Sequence, residues 1–245
     1  MKFHPGKFQL LRITNKQQPI KFTYKIHNTP LLETDSAKYL GVVVDNKLNW
    51  KKQYSSLIKN CKGTLAFIKR NLPKASKHIK EKCYKTLIRP KAEYACAVWD
   101  PHHKKYIDDI EKIQKSAARY VTGNYIMESG NTLINLNSLG WPTLEERRQQ
   151  TKLNIFQKGR LGDIDIPTDH LILKQRQTRH GGGGPTYQRE FSDIDSHINS
   201  FYPSTSRLWN NLPSNLRTLT DLSLFSKQLQ QINLTELRDS LKSID

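Results

Sequence analysis

An acidic doublet stands near the middle of the sequence, in the stretch KKYIDDIEKIQ at residues 104–114. Paired carboxylates can hold two metal ions that align the attacking and leaving oxygens of nucleotide transfer, and Tyr106-Ile107-Asp108-Asp109 has the residue types for that chemistry. Such a site requires both carboxylates to converge, which a tight turn between two apolar strands achieves. The residues around the doublet therefore decide whether it can act in this way.

The flanking residues predict a helix and not a strand hairpin. Apolar side chains recur every three or four residues at Ile107, Ile110, Ile113, Ala117, Tyr120 and Val121. Asp100-Pro101 predicts the start of this helix, with a capping residue followed by proline at the first helical position. The doublet falls off the apolar stripe, where Lys105 and Lys112 are close enough for surface ion pairs. The sequence therefore predicts no catalytic residue and no metal ligand at the doublet.

The basic charge of the chain is concentrated in its central third. The 245 residues include 40 Lys and Arg against 22 Asp and Glu, which gives a net charge of +18. Residues 47–125 hold 19 basic and 6 acidic side chains, whereas residues 126–245 hold 14 and 13. This concentration is typical of a nucleic-acid surface. A well-solvated helical surface is the plainer alternative, and acidic lipid a weaker one because no Trp/Phe-rich amphipathic face accompanies the lysines.

Composition also limits the class of protein. No run of about 18 apolar residues exists, and the N-terminus lacks the apolar centre of a signal peptide. We therefore expect an intracellular protein, of nucleus or cytoplasm, that is not secreted and has no membrane partner. Three scattered cysteines suit a reducing compartment and have no zinc-site spacing. His102-His103 is interpreted as two solvated residues at a helix start, so we predict no metal and no cofactor.

The first 46 residues predict short strands. Segments 7–14 and 21–27 alternate and are separated by a polar turn, and residues 37–45 form a β-branched run interrupted by Gly41. A glycine inside a strand commonly marks a bulge or the close approach of another backbone. Together these segments predict a small antiparallel meander. It is too small to stand alone and should need a partner, either the helices that follow or sequence before residue 1.

The central third predicts two basic helices before the one that carries the doublet. In the first, apolar positions recur at Tyr54, Leu57, Ile58, Cys61, Leu65, Ile68 and Leu72. Pro73 ends it, Ser76 caps the next helix, and Pro90 should kink or split that helix. The expected inward side chains of the second helix are Ile79, Cys83, Leu87, Tyr94, Ala95 and Val98. The two helices would then pack apolar face to apolar face with their lysines outward.

The last third predicts further helices around one glycine-rich loop. Thr143 and Glu146 form a capping box that begins a helix running to about Lys158. Four glycines at 181–184 predict a hinge or exposed loop, without the Lys-Ser/Thr of a phosphate-binding loop. An amphipathic helix at 221–232 should turn Leu222, Phe225, Leu229 and Ile232 inward. The fold class expected is mainly α with a small N-terminal antiparallel β meander.

Six segments, in order, resemble the reverse transcriptases of non-long-terminal-repeat (LINE-type, jockey-like) retrotransposons. They read AKYLGVVVDNKLNW, LAFIKRNL, CYKTLIRPKAEYACAVWDP, IEKIQKSAARYVTG, LGWPTLEERR and FYPSTSRLWNNLPSNL. MKFHPGKFQLLRIT also resembles the family stretch just after the catalytic aspartates, so the resemblance covers roughly residues 1–217. It implies the C-terminal part of an RNA-directed DNA polymerase: a palm remnant at 1–46, a basic helical thumb at 47–125 and a helical C-terminal extension at 126–245.

The resemblance also implies roles for particular residues. The family's metal-binding Tyr/Phe-x-Asp-Asp lies upstream of the equivalent of residue 1, so this chain alone is not expected to be an enzyme. The primer-grip hairpin, which holds the growing 3′ end, matches Lys38, Tyr39, Leu40 and Gly41. Thumb side chains that would contact phosphates are Lys51, Lys52, Lys59, Lys62, Lys69 and Arg70. Gly63 either permits close approach to a backbone or is simply tolerated in the helix.

Three functions remain open on the sequence alone. The first is a polymerase fragment that binds template–primer RNA/DNA together with an upstream palm and fingers, within a longer polyprotein. The second is a retroelement-derived protein that binds RNA or DNA without a role in polymerisation. The third is a helical interaction module whose charge serves only solubility.

Overall fold

A computed structural model describes residues 4–126, 130–174 and 183–234. The chain divides into two compact units, Met1–Lys59 and Asn60–Asp245, and the division falls inside the first long helix. Helices predominate and strands are short, so the expected fold class is confirmed. The three-part organisation at 1–46, 47–125 and 126–245 stays a prediction.

Short strands pair two by two in the first unit. They are β1 (Gln9–Leu11), β2 (Lys25–Ile26), β3 (Thr29–Pro30), β4 (Leu32–Thr34), β5 (Ser36–Tyr39) and β6 (Val42–Asp45). The pairs β2–β3 and β5–β6 are antiparallel hairpins, as expected, and β1 pairs with β4 in parallel. A tight turn at His27 and Asn28, both with positive φ, folds β2 back onto β3. Segment 21–27 therefore pairs with the residues that follow it, and segment 7–14 pairs with β4, not with segment 21–27 as the meander predicted.

The β5–β6 hairpin turns at Leu40 and Gly41. Both residues have positive φ, 43° and 84°, which is the backbone geometry of a two-residue hairpin turn. The prediction of one strand over residues 37–45, with a bulge or a close backbone approach at Gly41, was therefore wrong, because the glycine belongs to the turn between two strands. After β6, the buried Asp45 accepts hydrogen bonds from the backbone N–H groups of Lys47 and Asn49 at 3.0 and 3.2 Å. These bonds shape the loop that leads into the first long helix.

The first long helix, α1 (Lys51–Asn71), has the apolar face that the sequence predicted. Its buried side chains are Tyr54, Leu57, Cys61, Leu65 and Ile68. Near its start, the Gln53 side chain accepts a hydrogen bond from the backbone N–H of Val43 at 2.9 Å. This bond links the helix to β6 within the first unit.

Shorter helices and two long ones make up the second unit. They are α2 (Lys77–Cys83), a π-helical turn (Tyr84–Ile88), α3 (Arg89–Glu93), α4 (Cys96–Trp99), α5 (Lys104–Thr122), α6 (Asn131–Ser138), α7 (Leu144–Leu161), α8 (Asp195–Ile198), α9 (Phe201–Asn210), α10 (Ser214–Arg217) and α11 (Leu222–Leu229). Ser76 caps α2 as predicted, and its hydroxyl accepts from the Ile79 N–H at 3.4 Å. The π-helical turn lies directly before Pro90, where a kink or split was expected.

The inward face expected for residues 79–98 was wrong. Ile79, Leu87 and Val98 are about half exposed, whereas Tyr84, Ile88 and Ala92 are buried. This segment carries apolar residues at helical spacing on two faces, so periodicity alone could not select the one that packs. The buried set continues through Cys96 and Trp99.

Helix α5 packs against α2, α6 and α7 through the predicted stripe. Its buried apolar side chains include Ile107, Ile110, Ile113, Ala117, Tyr120 and Val121. The helix begins at Lys104, with His103 in the capping position, so the predicted start at Asp100-Pro101 was wrong. Asp100 instead forms ion pairs with Arg148 and Lys152 of α7. That tertiary contact takes the carboxylate that the local pattern assigned to a helix cap.

The C-terminal helices share a core centred on Trp209. Its buried members are Leu153, Phe156, Tyr187, Leu208, Trp209, Leu212, Leu216, Phe225, Leu229 and Leu234. Helix α7 opens with the predicted Thr143–Glu146 capping box. Of the glycine-rich loop, residues 181 and 182 lie outside the described part of the chain. No helix in the described part is long and apolar enough to cross a membrane.

Candidate nucleic-acid interface

The acidic doublet lies on the solvent side of α5. Asp108 pairs with Lys104 at 3.3 Å and Asp109 pairs with Lys112 at 2.8 Å. The hydrogen bond from Lys112 holds the pKa of Asp109 below its usual value, and its charge adds to the effect. The ion pair predicted for Lys112 is confirmed, whereas Lys104 takes the place expected of Lys105.

Within the described residues, the doublet also lacks the neighbouring ligands that a metal site needs. In residues 4–126, 130–174 and 183–234, neither aspartate belongs to a set of three His, Cys, Asp or Glu side chains within reach of one ion. Each carboxylate is instead directed to its own lysine, one turn before or after it along the helix.

Exposed basic side chains follow α1 along its length. Five of the six side chains predicted to contact phosphates are exposed: Lys51, Lys52, Lys59, Lys62 and Arg70. Lys52 donates to the Ser36 hydroxyl at 2.8 Å, which anchors the lysine within the first unit. The apolar positions between these residues are buried, so α1 presents the basic side chains on its exposed face.

Lys69 differs from the other five. It is half-buried and donates to the Ser116 hydroxyl of α5 at 3.0 Å, and its Nζ lies 6.0 Å from the centre of the Tyr120 ring. Burial lowers the pKa of Lys69, and the positive charge of Arg119 lowers it further. Lys69 therefore serves the packing of α1 on α5 within the second unit as well as contributing charge.

Helix α5 adds further positive charge beside the C-terminal half of α1. The Lys62 charge acts on Asp109, and Lys69 contacts Ser116, so the two exposed faces are neighbours in the second unit. The spacing of Lys115 and Arg119 puts them on one side of α5, whereas the charge of Lys112 is balanced by its ion pair with Asp109. The sequence did not single out Lys115 and Arg119, although they lie in the same basic third of the chain.

The residues of the expected primer grip form the tip of the β5–β6 hairpin. Lys38 and Tyr39 end β5, and Leu40 and Gly41 make the turn. Tyr39 and Leu40 are 70% and 73% exposed, so both large side chains are open to contact. A leucine with positive φ carries backbone strain of about 1–2 kcal/mol, which a glycine or asparagine would avoid.

A second basic region, in a cleft of about 600 Å³ beside Trp141, has most of its charge balanced by two neighbouring carboxylates. Arg89 and Arg147 both pair with Glu93, and Lys85 pairs with Glu81 at 2.6 Å. The cleft is therefore a weaker candidate for phosphate than the exposed side of α1, where no such carboxylates are paired with Lys59, Lys62 or Arg70 in the described residues.

Gly63 has open space where a side chain would stand. A Cβ atom added there would meet no atom of the described residues within 4 Å. Packing within the protein therefore does not require glycine at this position.

Comparison with known proteins connects the chain to a retrotransposon. It is 27% identical over 121 residues to a probable RNA-directed DNA polymerase from transposon X-element of Drosophila melanogaster. The match covers 45% of this chain and 13% of that protein's length. No family model matches the chain, and no solved structure matches it significantly. The similarity confirms the resemblance to a non-long-terminal-repeat retrotransposon reverse transcriptase.

Proposed function

Because the chain is related to a retrotransposon RNA-directed DNA polymerase, we propose that residues 1–245 hold the template–primer of such an enzyme without catalysing nucleotide transfer. The observation that carries the proposal is the row of exposed basic side chains on α1, within a central third that holds 19 basic and 6 acidic residues. The activity for which that relative is named belongs to a much longer protein, of which the match spans 13%.

The chemistry of binding follows from the kind of side chain. Lysines on an exposed helix neutralise phosphates, which carry no information about base identity. Each neutralised phosphate releases condensed counterions, so affinity should fall steeply with salt. Lys51, Lys52, Lys59, Lys62 and Arg70 are the proposed phosphate contacts. Lys69 contributes mainly through its charge, since it is half-buried as well as bonded to Ser116, whereas Lys52 is exposed although it is bonded to Ser36.

The hairpin tip is the proposed contact for the primer's 3′ end. Strained backbone that persists at an exposed position points to a role beyond stability. Leu40 is such a position, with a φ of 43° and a side chain that is 73% exposed. Tyr39 beside it offers an aromatic face for a terminal base or sugar, and Lys38 offers a charge for the last phosphate.

The proposed absence of catalysis rests on the geometry of α5. Two-metal catalysis needs carboxylates that share an ion, and the doublet's carboxylates each pair with a separate lysine. The metal-binding aspartates would belong to another part of the polymerase. Magnesium-dependent incorporation by the purified chain, lost in the Asp108→Asn/Asp109→Asn variant, would contradict this part of the proposal.

Palm and fingers of the polymerase are the proposed protein partners. Several large apolar side chains of the first unit are exposed, among them Ile20 at 84%, Leu32 at 69% and Phe22 at 64%. Phe22 also contacts the ring of the half-exposed Tyr24, and apolar side chains exposed together mark interaction sites when they form a contiguous patch. We expect the isolated chain to self-associate through these residues, and the Ile20→Ser/Phe22→Ser variant to be more soluble and monomeric by light scattering. An equally associated variant would oppose this assignment.

A salt titration tests the nucleic-acid surface. Fluorescence anisotropy would measure binding of the full chain to an RNA–DNA duplex with a recessed 3′ end. The test variant replaces Lys51, Lys59 and Lys62 with Gln, and a charge-matched control replaces Lys158, Lys174 and Lys227, which are exposed in the C-terminal region. Both variants lose three positive charges, so a difference in their affinity for the duplex reflects where the lost charges lie and not the change in net charge.

We expect the test variant to reduce the slope of log K against log salt by about 2 to 3, at about 0.9 for each lost phosphate contact. The control should leave the slope nearly unchanged. Equal effects of the two variants would refute a specific interface on α1. Binding that does not distinguish a recessed 3′ end from a blunt duplex would favour a retroelement-derived binding protein, and absence of salt-dependent binding would favour an interaction module.

A further inference from the structure

Two histidines and an aspartate from distant parts of the sequence meet before the start of α5. His102 and His103 are adjacent in the chain, and Asp195 opens α8. The donor atoms of the three side chains lie within 4.8 Å of one another. His102 Nε2 is 2.8 Å from Asp195 Oδ2, and the two imidazole rings are 4.0 Å apart between centroids.

The donor set has the chemistry of a zinc site. Two imidazole nitrogens and one carboxylate oxygen are found in zinc sites that keep a fourth position open. Zinc–nitrogen and zinc–oxygen bonds of about 2.0–2.2 Å in a tetrahedron put donor atoms about 3.4 Å apart. To reach that value, the 2.8 Å between His102 Nε2 and Asp195 Oδ2 would have to widen and the largest separation, up to 4.8 Å, would have to narrow. His103 and Asp195 are exposed, which leaves their side chains room for this adjustment.

This cluster stands apart from the other histidine–carboxylate contacts. His170 and His197 approach different oxygens of Glu190 at 3.3 and 3.4 Å, but the three side chains do not bring one donor atom each within 4.8 Å of the others. Within the described residues, only the set of His102, His103 and Asp195 brings three possible ligands within reach of one ion.

We propose that His102, His103 and Asp195 bind one Zn²⁺ ion. Water fills the fourth position, because the described surroundings supply three protein donors. The ion ties α8 of the C-terminal region to the residues that precede α5, both of which belong to the second unit. Because the ion binds the folded protein and not the unfolded chain, its binding stabilises the fold.

The test uses the full chain, freed of metal with a chelator and titrated with Zn²⁺, and with Co²⁺ as a spectroscopic probe. We expect one equivalent of Co²⁺ to give the visible absorption of a tetrahedral site, displaced by Zn²⁺. Saturation at about 100 times the dissociation constant should raise the melting temperature by about 5 °C or more.

Three variants and a control identify the ligands. His102→Ala, His103→Ala and Asp195→Asn should each weaken binding by at least about tenfold, since even residues behind metal ligands contribute about 10- to 100-fold. Asp195→Asn retains a side chain that can bond to His102, so it separates loss of a ligand from loss of the fold. His78→Ala removes an exposed histidine elsewhere in the second unit and should leave affinity unchanged.

Two results would overturn the proposal. One is a wild-type chain that gives no tetrahedral Co²⁺ spectrum and no melting shift with Zn²⁺. The other is metal binding that survives unchanged in the folded His103→Ala and Asp195→Asn variants, which would assign the metal to other residues.

Discussion

Asp100 is the residue whose replacement should damage the fold most, because its carboxylate neutralises two buried cations. Arg148 Nε and Lys152 Nζ lie 2.8 and 2.6 Å from its two oxygens. The Arg148 side chain is fully buried and that of Lys152 is 6% exposed. Burial opposes ionisation of Asp100, but the charges of Lys152 and Arg148 outweigh it and hold the pKa below its usual value.

The Asp100→Asn variant keeps the shape of the side chain and removes its charge. Two cations are then left buried without their counter-ion, which costs about 3–5 kcal/mol of unfolding free energy. A unit of this size loses about 2–4 °C of melting temperature for each kcal/mol, so we expect a fall of about 6–20 °C. Urea unfolding followed by tryptophan fluorescence measures the change, since Trp99 and Trp209 are fully buried in the second unit.

The Asp108→Asn variant is the matched control. It makes the same chemical change at a side chain that is 45% exposed and forms a surface ion pair with Lys104. Surface changes of this kind usually alter stability by less than about 0.5 kcal/mol. A similar loss in both variants would refute the assignment of Asp100 as the buried counter-ion.

The pH dependence gives a second check on Asp100. A carboxyl group whose pKa is lowered by folding stabilises the protein above its unfolded value of about 3.9, and that contribution is lost as pH falls through the folded value. The difference between wild type and Asp100→Asn should therefore be full at pH 7 and shrink below about pH 4. A difference that stays constant through that range would contradict the ion-pair account.

Four further predictions concern single side chains. Burial raises the pKa of Glu111, so the ionised side chain opposes folding at pH values above the pKa of the unfolded state, about 4.3. In urea titrations, Glu111→Gln should therefore be at least as stable as wild type at pH 7 and lose that advantage at pH 4. Tyr120→Phe removes the hydrogen bond to the Leu72 carbonyl at 2.6 Å and should cost about 1 kcal/mol by the same measurement. Gly63→Ala should stabilise α1 by about 0.5–1 kcal/mol, because its Cβ enters open space; reduced duplex affinity in that variant would reveal a close backbone approach. Leu40→Asn should raise the melting temperature while weakening the preference for a recessed 3′ end over a blunt duplex; unchanged preference would count against the primer grip.

Local periodicity was enough to predict the long helices. The buried faces of α1 and α5 match the predicted stripes, because most apolar residues of each helix lie on one side, with Phe67 of α1 as an exposed exception. Residues 79–98 carry them on two sides, and there the prediction failed. The start of α5 was also misplaced, since the cap signal at Asp100 could not reveal partners 48 and 52 residues later in α7.

The candidate interface shows the same limit at the level of single side chains. Lys62 and Lys69 lie seven residues apart on one helix and both fall beside its apolar stripe. Only the fold distinguishes them. Lys69 finds Ser116, 47 residues later, and becomes half-buried. In the same way, the sequence around His102-His103 did not indicate a metal site, because the third candidate ligand, Asp195, approaches these histidines only in the fold. The sequence alone shows which side chains carry a charge, but only the fold shows which partner each charged side chain contacts.

The acidic doublet illustrates why four matching residues do not define a site. Successive residues of a helix point about 100° apart, so Asp108 and Asp109 cannot converge on one ion as they would at a hairpin turn. They pair instead with Lys104 and Lys112, which cancel their charge on a helix that faces the basic side of α1. Neutralised in this way, the doublet does not repel a phosphate backbone that follows Lys62. The same ion pairs that argue against catalysis thus keep this surface compatible with nucleic acid.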